Sequence, residues 1–354
     1  MSQDETPPDG LPDVEGVDTA AATRWIAERT AIEGPLRFAV IEGGRSNLTY
    51  DVVDAAGRRL ILRRPPLHGV LQSAHDMGRE YRIMAALEDS PVPVPHCIGY
   101  EADADVIGAP FYVMDFVDGA IVRNASQARE SLTPDRRAAA SESIVDVLVA
   151  LHDVDVDAVG LGDLARKEAY IERQLRRWHG QLEQARTRDL PLLDEVHARL
   201  VADIPPQGPA TIVHGDYRLD NLILDPSTGA VNAVLDWELT TLGDPLADLG
   251  LLNVYWSQPG DATVPLPDAP TVVEGFLDRA TLTERYAARS GRDTGQVGFY
   301  VAFGYWKLAC ILEGVYSRFA SGAYGETDGS FEAYGALVVA LAERADEAAR
   351  AVGR

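Results

Sequence analysis

The sequence has few cysteines and no long apolar run. Two cysteines occur in 354 residues, Cys97 and Cys310, and they stand far apart and outside any metal-ligand spacing. A disulfide framework or a zinc site is therefore not expected, and a reducing cytoplasm fits this composition. No apolar stretch approaches the ~20 residues that a membrane span requires, and the acidic N-terminus carries no basic-then-apolar signal. We expect a cytoplasmic protein without a membrane partner.

Positive charge is also scarce. The chain has 32 lysines and arginines against 55 aspartates and glutamates, which gives a formal net charge of -23. Such a field repels nucleic acid and anionic membranes, and no basic stripe with interleaved aromatic residues offsets it. We therefore expect no nucleic-acid partner. The same field could attract cationic substrates, although general acidity is the simpler explanation.

What the sequence does contain is a set of polar residues at fixed offsets between apolar runs. Asp216 stands five positions before Asn221, and Asp236 follows after a turn at Asp225–Gly229. Phosphoryl transfer needs one carboxylate for the proton of the substrate hydroxyl, and an amide and a second carboxylate to hold Mg2+ on the nucleotide phosphates. A kinase catalytic loop has the same spacing, with a metal-binding aspartate downstream. The order and spacing predict Asp216 as the catalytic residue and Asn221 and Asp236 as metal ligands, whereas each piece alone would fit an ordinary turn or strand end.

The pattern His214-Gly-Asp-x-x-x-x-Asn221, followed by Leu235-Asp-Trp-Glu238, resembles the aminoglycoside phosphotransferase superfamily. This protein-kinase-like superfamily also includes choline and fructosamine kinases. The surrounding pattern is most similar to its branch related to the kinase-like domain fused to acyl-CoA dehydrogenases, over nearly all of the chain.

The resemblance implies an α+β, bilobal protein-kinase-like fold. The small N-terminal lobe would be an antiparallel β-sheet with one helix, and the larger C-terminal lobe would be mostly helical. We expect a disordered tail over residues 1–16, a nucleotide-binding lobe over 17–116, and a catalytic and substrate-binding lobe over 117–354.

Two segments of the smaller lobe are expected to bind the nucleotide. Two glycines precede Ser46 and Asn47, where backbone N–H groups could cover phosphates, although a plain hairpin turn would also explain them. The resemblance also places Met114, Asp115 and Phe116 at the hinge between the lobes, where the backbone of a kinase contacts the adenine.

Arg63 stands where a kinase strand carries its phosphate-pairing lysine, and Arg64 should face the opposite side of the strand. Arginine keeps the positive charge but is not interchangeable with lysine, so either the guanidinium binds phosphate or the register differs by one residue. Glu80, in a helix that Asp76 can cap, is the candidate partner of Arg63. An ordinary solvated glutamate is the alternative.

In the larger lobe the resemblance predicts that Asp248 braces the catalytic loop. His152, at the end of a helix opened by Thr133 and Pro134, is expected to be a structural hydrogen-bonding group. The helical stretch at 167–188 is locally basic, which would suit an anionic substrate tail or, more simply, a solvated face with neighbouring glutamates. Four residues are candidates to line the acceptor cleft: Trp256, Trp306, Lys307 and Glu313.

These residues predict an ATP- or GTP-dependent phosphotransferase that uses Mg2+ and transfers the γ-phosphate to a hydroxyl of a small molecule. Its partners would be the nucleotide and this small-molecule substrate, in a monomer or homodimer. The acceptor stays open between an aminoglycoside, an amino alcohol and a hydroxyacyl-CoA. A nucleotide-binding pseudokinase or scaffold is the alternative from another class, because Arg63 replaces the usual lysine.

Overall fold

The computed structural model describes residues 14–41, 47–67, 76–261, 265, 268–320 and 332–352. The chain forms two compact units. The first contains the chain through Asp118 together with Asp236–Glu238, and the second contains Gly119–Leu235 and Leu239–Arg354. The inclusion of Asp236–Glu238 in the first unit is not part of the sequence prediction.

The first unit is built on an antiparallel sheet of five strands in the order β1-β2-β3-β5-β4. The strands are β1 (Arg37–Val40), β2 (Leu48–Val53), β3 (Arg59–Arg64), β4 (Cys97–Glu101) and β5 (Phe111–Asp115). Alternate side chains point to opposite faces of a strand, and one face buries Tyr50, Leu62 and Val113 in a common core. The described part of the predicted tail reaches this unit, because the Tyr50 hydroxyl donates to the carbonyl of Glu15.

Two helices accompany this sheet in the described residues, where the resemblance implied one. Helix α1 (Thr19–Ala27) buries Trp25 in the sheet core. Helix α2 (Met77–Leu87) begins after Asp76, whose side chain accepts a hydrogen bond from a backbone N–H of the first turn. The predicted cap of α2 is confirmed.

The second unit is mostly helical in its described part. Its helices are α3 (Ala125–Ser131), α4 (Pro134–His152), α5 (Tyr170–Ala185), α6 (Pro191–Ala202), α7 (Leu246–Tyr255), α8 (Arg279–Ser290), α9 (Val297–Ala320) and α10 (Glu332–Val352). Two small antiparallel pairs carry the catalytic loop: β6 (Thr211–Val213) with β9 (Thr241–Gly243), and β7 (Leu222–Leu224) with β8 (Val231–Val234). None of the described helices is both long enough and apolar enough to cross a membrane. The predicted α+β fold is confirmed.

Helices α7 and α9 approach each other closely because glycine stands at their contact. A Cβ added to Gly250 would lie 2.5 Å from the Cβ of Tyr300, and one added to Gly304 would lie 3.0 Å from Val254. The Tyr300 hydroxyl also donates to Asp244 at 2.6 Å, just before α7. This packing fixes α9 against the segment that follows β9.

Candidate active site

Asp216 and Asn221 are held against each other in the second unit. The loop after β6 ends in one turn of 3-10 helix, Leu219–Asn221, which leads directly into β7. The Asn221 amide donates to Asp216 Oδ2 at 3.0 Å and to the Asp216 carbonyl at 2.9 Å. The described hydrogen bonds to the Asp216 carboxylate all go to Oδ2, so Oδ1 can accept a proton from a substrate hydroxyl.

Arg218 is a residue of this loop that the sequence analysis missed. Its Nε donates to Asp216 Oδ2 at 3.2 Å, and its Nη2 lies 2.9 Å from Asp220 Oδ2. Burial acts to lower the pKa of Arg218, but Asp216, Tyr255 and Asp220 outweigh it and raise that pKa. The alternation of acidic and basic residues at positions 216, 218 and 220 is the sequence signal that could have revealed these two contacts of Arg218.

Asp248 braces the start of the same loop from α7. Its Oδ2 accepts from the backbone N–H of His214 at 2.7 Å, and its Oδ1 accepts from that of Gly215 at 2.8 Å. Burial alone would raise the pKa of Asp248, but the hydrogen bonds from His152 and Gly215 lower it below its ordinary value. His152 also lies 2.8 Å from the Tyr286 hydroxyl. The predicted structural roles of Asp248 and His152 are both confirmed.

The backbone at Gly215 requires glycine. Its φ of +84° is in the left-handed region, and a Cβ there would lie 2.8 Å from the carbonyl oxygen of Leu239. The neighbouring His214 accepts from the Asp216 N–H through Nδ1 at 3.3 Å, and its Nε2 lies 3.0 Å from the Leu235 carbonyl. A neutral imidazole with its proton on Nε2 satisfies both contacts. His214 therefore shapes the loop.

In the first unit, Arg63 and Glu80 form the predicted ion pair. Arg63 Nη1 lies 3.1 Å from Glu80 Oε2, and Glu80 is only 1% exposed. The Tyr112 hydroxyl donates to Glu80 Oε2 at 2.9 Å and accepts from Arg63 Nη1 at 3.2 Å. Arg64 faces the other way and donates to the carbonyl of Gly16. The register is therefore the one that gives Arg63 the place of the kinase lysine.

Asp236 lies next to this pair. Its Oδ1 is 3.8 Å from Arg63 Nη2, and its φ of +66° is left-handed, which is uncommon for a residue with a side chain. Burial acts to lower the pKa of Arg63, but Tyr112, Glu80 and Asp236 together raise it. Arg63 therefore keeps its positive charge.

Two buried polar atoms of this group have no hydrogen-bond partner in the described part of the chain: Arg63 Nε and Asp236 Oδ1. Buried polar atoms normally have partners, so these two indicate ligands. Mg2+ prefers carboxylate oxygens, and arginine N–H groups bind phosphate oxygens well. The side chains present thus fit a phosphate group and a magnesium ion.

The model of the phosphotransferase enzyme family, APH, matches residues 37–293. This chain belongs to that family. This chain is 33% identical to a protein from Ralstonia eutropha that is provisionally described as an aminoglycoside phosphotransferase. The crystal structure of that protein gives a TM-score of 0.80, with 94% of this chain and 98% of the other covered. The complex of APH(2")-IIa with streptomycin and ATP shares the fold at 13% identity, with a TM-score of 0.56 over 85% of this chain and 91% of the other.

Animal relatives are similar over most of this chain. The chain is 36% identical to acyl-CoA dehydrogenase family member 10 of Mus musculus over 300 residues, which are 82% of this chain. It is 33% identical to acyl-CoA dehydrogenase family member 11 of Gallus gallus over 317 residues, which are 88% of this chain. The matched region is only 27% of the first relative and 40% of the second. The predicted branch of the superfamily is confirmed.

The remaining predicted nucleotide contacts of this chain stay predictions. Ser46 lies outside the described residues, and the amide of Asn47 donates to Glu80 Oε1 at 2.9 Å. The backbone N–H of Asp115 donates to the His96 carbonyl, and that of Phe116 donates to the Arg59 carbonyl. Backbone pairing occupies these two N–H groups, so an adenine beside Asp115 and Phe116 would have to use a carbonyl oxygen.

The structure corrects two of the four candidates for the acceptor cleft, Trp306 and Glu313. Trp306 is buried, and its indole N–H donates to the carbonyl of Leu193. Trp256 is also buried and donates to the carbonyl of Leu277, but it lines a small pocket with Arg218 and Asp220 of the catalytic loop and so stays a candidate. Glu313 is fully buried in an ion pair with Arg188 at 2.7 Å. Helical spacing puts Trp306 and Glu313 on one face of α9, but packing against distant segments buries that face in the core. The fourth candidate, Lys307, does reach the catalytic loop.

The basic face of α5 is only partly paired. Arg186 pairs with Glu183 at 2.6 Å, as an ordinary solvated face predicts. Three further arginines form no ion pair among the described residues: Arg173, Arg176 and Arg177. The Nη1 atom of Arg173 is buried without a hydrogen-bond partner in that part of the chain.

A second group of metal-type side chains lies on α5 and α6. Ligand atoms of His179, Glu183 and Asp194 are within 4.8 Å of one another. Arg186 lies 2.6 Å from the Glu183 carboxylate and 2.7 Å from that of Asp194, so a guanidinium already pairs with both carboxylates. This group therefore gives no support to a metal site.

Proposed function

We propose that this phosphotransferase transfers the γ-phosphate of ATP or GTP to a hydroxyl of a small molecule, with Mg2+ as cofactor. The observation that carries the proposal is the arrangement of Asp216. Asn221 and Arg218 hold one of its oxygens and Asp248 braces the loop before it, while the other oxygen can accept a proton. A carboxylate fixed in this way is suited to orient and deprotonate an alcohol.

The other residues have supporting roles in this mechanism. Asn221 and Asp236 would hold the metal ion, which when bound neutralises the charge of the phosphates. Arg63, fixed by Glu80 and Tyr112, would bind a phosphate oxygen through its Nε. Arginine can take the place of lysine here because its charge persists and its fork binds oxygens in pairs.

The unpaired arginines of α5 favour an anionic acceptor, such as a hydroxyacyl-CoA, over a cationic aminoglycoside. The indole of Trp178 lies 5.2 Å from the Arg177 guanidinium and 5.6 Å from the Lys307 ammonium. Lys307 in turn contacts the carbonyl of Gly215 in the catalytic loop. In a chain of net charge -23, such a local excess of positive charge suits carboxylate or phosphate groups.

Thermal stabilisation tests the function most directly. A ligand that binds only the folded protein raises Tm by mass action, so Mg-ATP or Mg-GTP should raise it, and the true acceptor class should raise it further. The panel would contain aminoglycosides, amino alcohols and hydroxyacyl-CoAs, followed by an assay of nucleotide turnover. Asp236→Ala should lose the part of the shift that depends on Mg2+.

Two outcomes would oppose the proposal. Stabilisation by nucleotide without turnover of any acceptor favours a nucleotide-binding scaffold. No stabilisation by either nucleotide rejects both functions.

A further inference from the structure

Lys307 is an unusual residue in this chain. Lys167 and Lys307 are its two lysines, while arginine supplies the rest of the 32 basic residues. Lys307 lies on α9 and is only 7% exposed, and its Nζ donates to the carbonyl oxygen of Gly215 at 3.0 Å. It forms no ion pair with any carboxylate of the described residues.

A buried ammonium without a paired carboxylate is energetically unfavourable. Burial lowers the pKa of Lys307, and the more distant charges of Asp216 and Asp248 oppose this shift only in part. The face of the Trp178 ring, 5.6 Å from Nζ, provides some compensation. A buried charge that is energetically unfavourable and lies beside the catalytic loop indicates a role in that loop.

The contact lies on the peptide group that joins Gly215 to Asp216. Lys307 holds the carbonyl of this peptide, and His214 Nδ1 accepts from its N–H at 3.3 Å. The preceding N–H, that of Gly215, is held by Asp248 at 2.8 Å. Gly215 has a left-handed backbone and no side chain that restricts it. These contacts therefore fix the orientation of the Gly215–Asp216 peptide and the direction in which the Asp216 side chain points.

We propose that Lys307 is a positioning residue, whose ammonium group fixes the Gly215–Asp216 peptide and thereby orients the Asp216 carboxylate. The proposal rests on the proposed function, in which Asp216 is the base. Lysine suits this place because it is a compact donor on a flexible stem, whereas the wider fork of arginine would have to enter a buried space.

The test compares four variants with the wild-type chain. Lys307→Met removes the ammonium but keeps the length, and Lys307→Gln is a polar, shorter alternative if the first does not fold. Lys307→Arg keeps the charge. Lys167→Met is the matched control, because this other lysine is part of a surface ion pair with Asp157.

We expect Lys307→Met and Lys307→Gln to lower kcat about 10- to 100-fold, the loss typical of a slightly misplaced catalytic group. The KM for nucleotide should change less than about twofold, because the nucleotide contacts do not depend on this peptide. Lys307→Arg should retain more kcat than either neutral variant, and Lys167→Met should match the wild type. A folded neutral variant with wild-type kcat would overturn the proposal.

Amide hydrogen exchange separates this proposal from the proposed function. The Asp216 N–H should exchange about tenfold or more faster in the neutral variants, and at the wild-type rate in Lys167→Met. If the wild-type protein transfers phosphate to no acceptor, the proposed function fails and the exchange rate alone decides the role of Lys307. Unchanged exchange in a folded neutral variant would reject it.

Discussion

The two units hold their candidate site residues in different ways. In the first unit, side chains bind side chains: Arg63, Glu80 and Tyr112 satisfy one another in a buried group. In the second unit, side chains bind the backbone as well as the Asp216 carboxylate: Asp248 and Lys307 hold the peptides next to Asp216. The first arrangement fixes charges, and the second fixes the path of the chain.

The pKa directions of the two buried carboxylates show the same difference. Burial raises the pKa of Glu80, and the charge of Arg63 does not fully offset it. The pKa of Asp248 is lowered, because hydrogen bonds from His152 and the backbone outweigh its burial. Holding an ionised Glu80 therefore costs stability, while holding an ionised Asp248 contributes stability.

The largest expected effect comes from removing the negative charge of Asp216 in the second unit. Asp216→Asn should lower kcat by about 10²–10⁴-fold, the contribution of a positioned base. Nucleotide affinity should be nearly unchanged, as calorimetry would measure. The exposed Asp203 provides a control as Asp203→Asn. Equal kcat in Asp216→Asn and the wild type would remove Asp216 from the mechanism.

The second-largest expected effect is a loss of stability when the ion pair of the first unit is broken. Glu80→Ala leaves the Arg63 guanidinium buried, with Asp236 at 3.8 Å as its remaining carboxylate among the described residues, which should lower the free energy of unfolding by about 3–5 kcal/mol. Urea unfolding at pH 7 measures this change in the free energy of unfolding.

Two further variants sharpen this prediction. Glu28→Ala, in an exposed pair with Arg29, should cost at most about 1 kcal/mol. The double variant Arg63→Met with Glu80→Leu should recover most of the loss, because it removes both charges. A double variant as unstable as Glu80→Ala would show that lost packing, and not the unpaired charge, causes the effect.

A smaller and pH-dependent effect is expected at Asp248. Its folded-state pKa lies below the unfolded value of about 3.9, so its stabilisation is complete above that pH and is lost as pH falls through the folded-state pKa. Asp248→Asn should lower the free energy of unfolding by about 1–3 kcal/mol at pH 7, because one of its backbone donors loses its acceptor. The difference from the wild type should shrink in acid. A difference that stays constant from pH 7 to pH 3 would contradict the assigned ionic role.

Local signals in the sequence predicted much of the framework. Asp76 marks the start of α2, and Thr133 with Pro134 marks the start of α4, because caps depend only on neighbouring residues. The alternation of a strand separated Arg63 from Arg64. The spacing of the catalytic loop predicted that Asp216 and Asn221 belong to one site, and the hydrogen bond between them agrees with that grouping.

Contacts between distant segments were beyond such signals. Lys307 is 91 residues after Asp216, and its reach depends on how closely α9 packs against α7. Tyr112 enters the Arg63 pair only because β5 lies beside β3 in the sheet. Helical spacing gave Trp306 and Glu313 a common face, but the neighbouring helices decide whether a face is core or cleft.

Because the chain has two lysines, limited proteolysis can measure how often α9 opens. A protease that cuts after lysine has two sites in the whole chain. Lys167 lies outside the helices, whereas Lys307 is buried within one. Native protein should therefore yield two large fragments, and a third fragment should form only at the rate at which α9 opens. Ligands that tighten the catalytic loop should slow the second cut and leave the first unchanged.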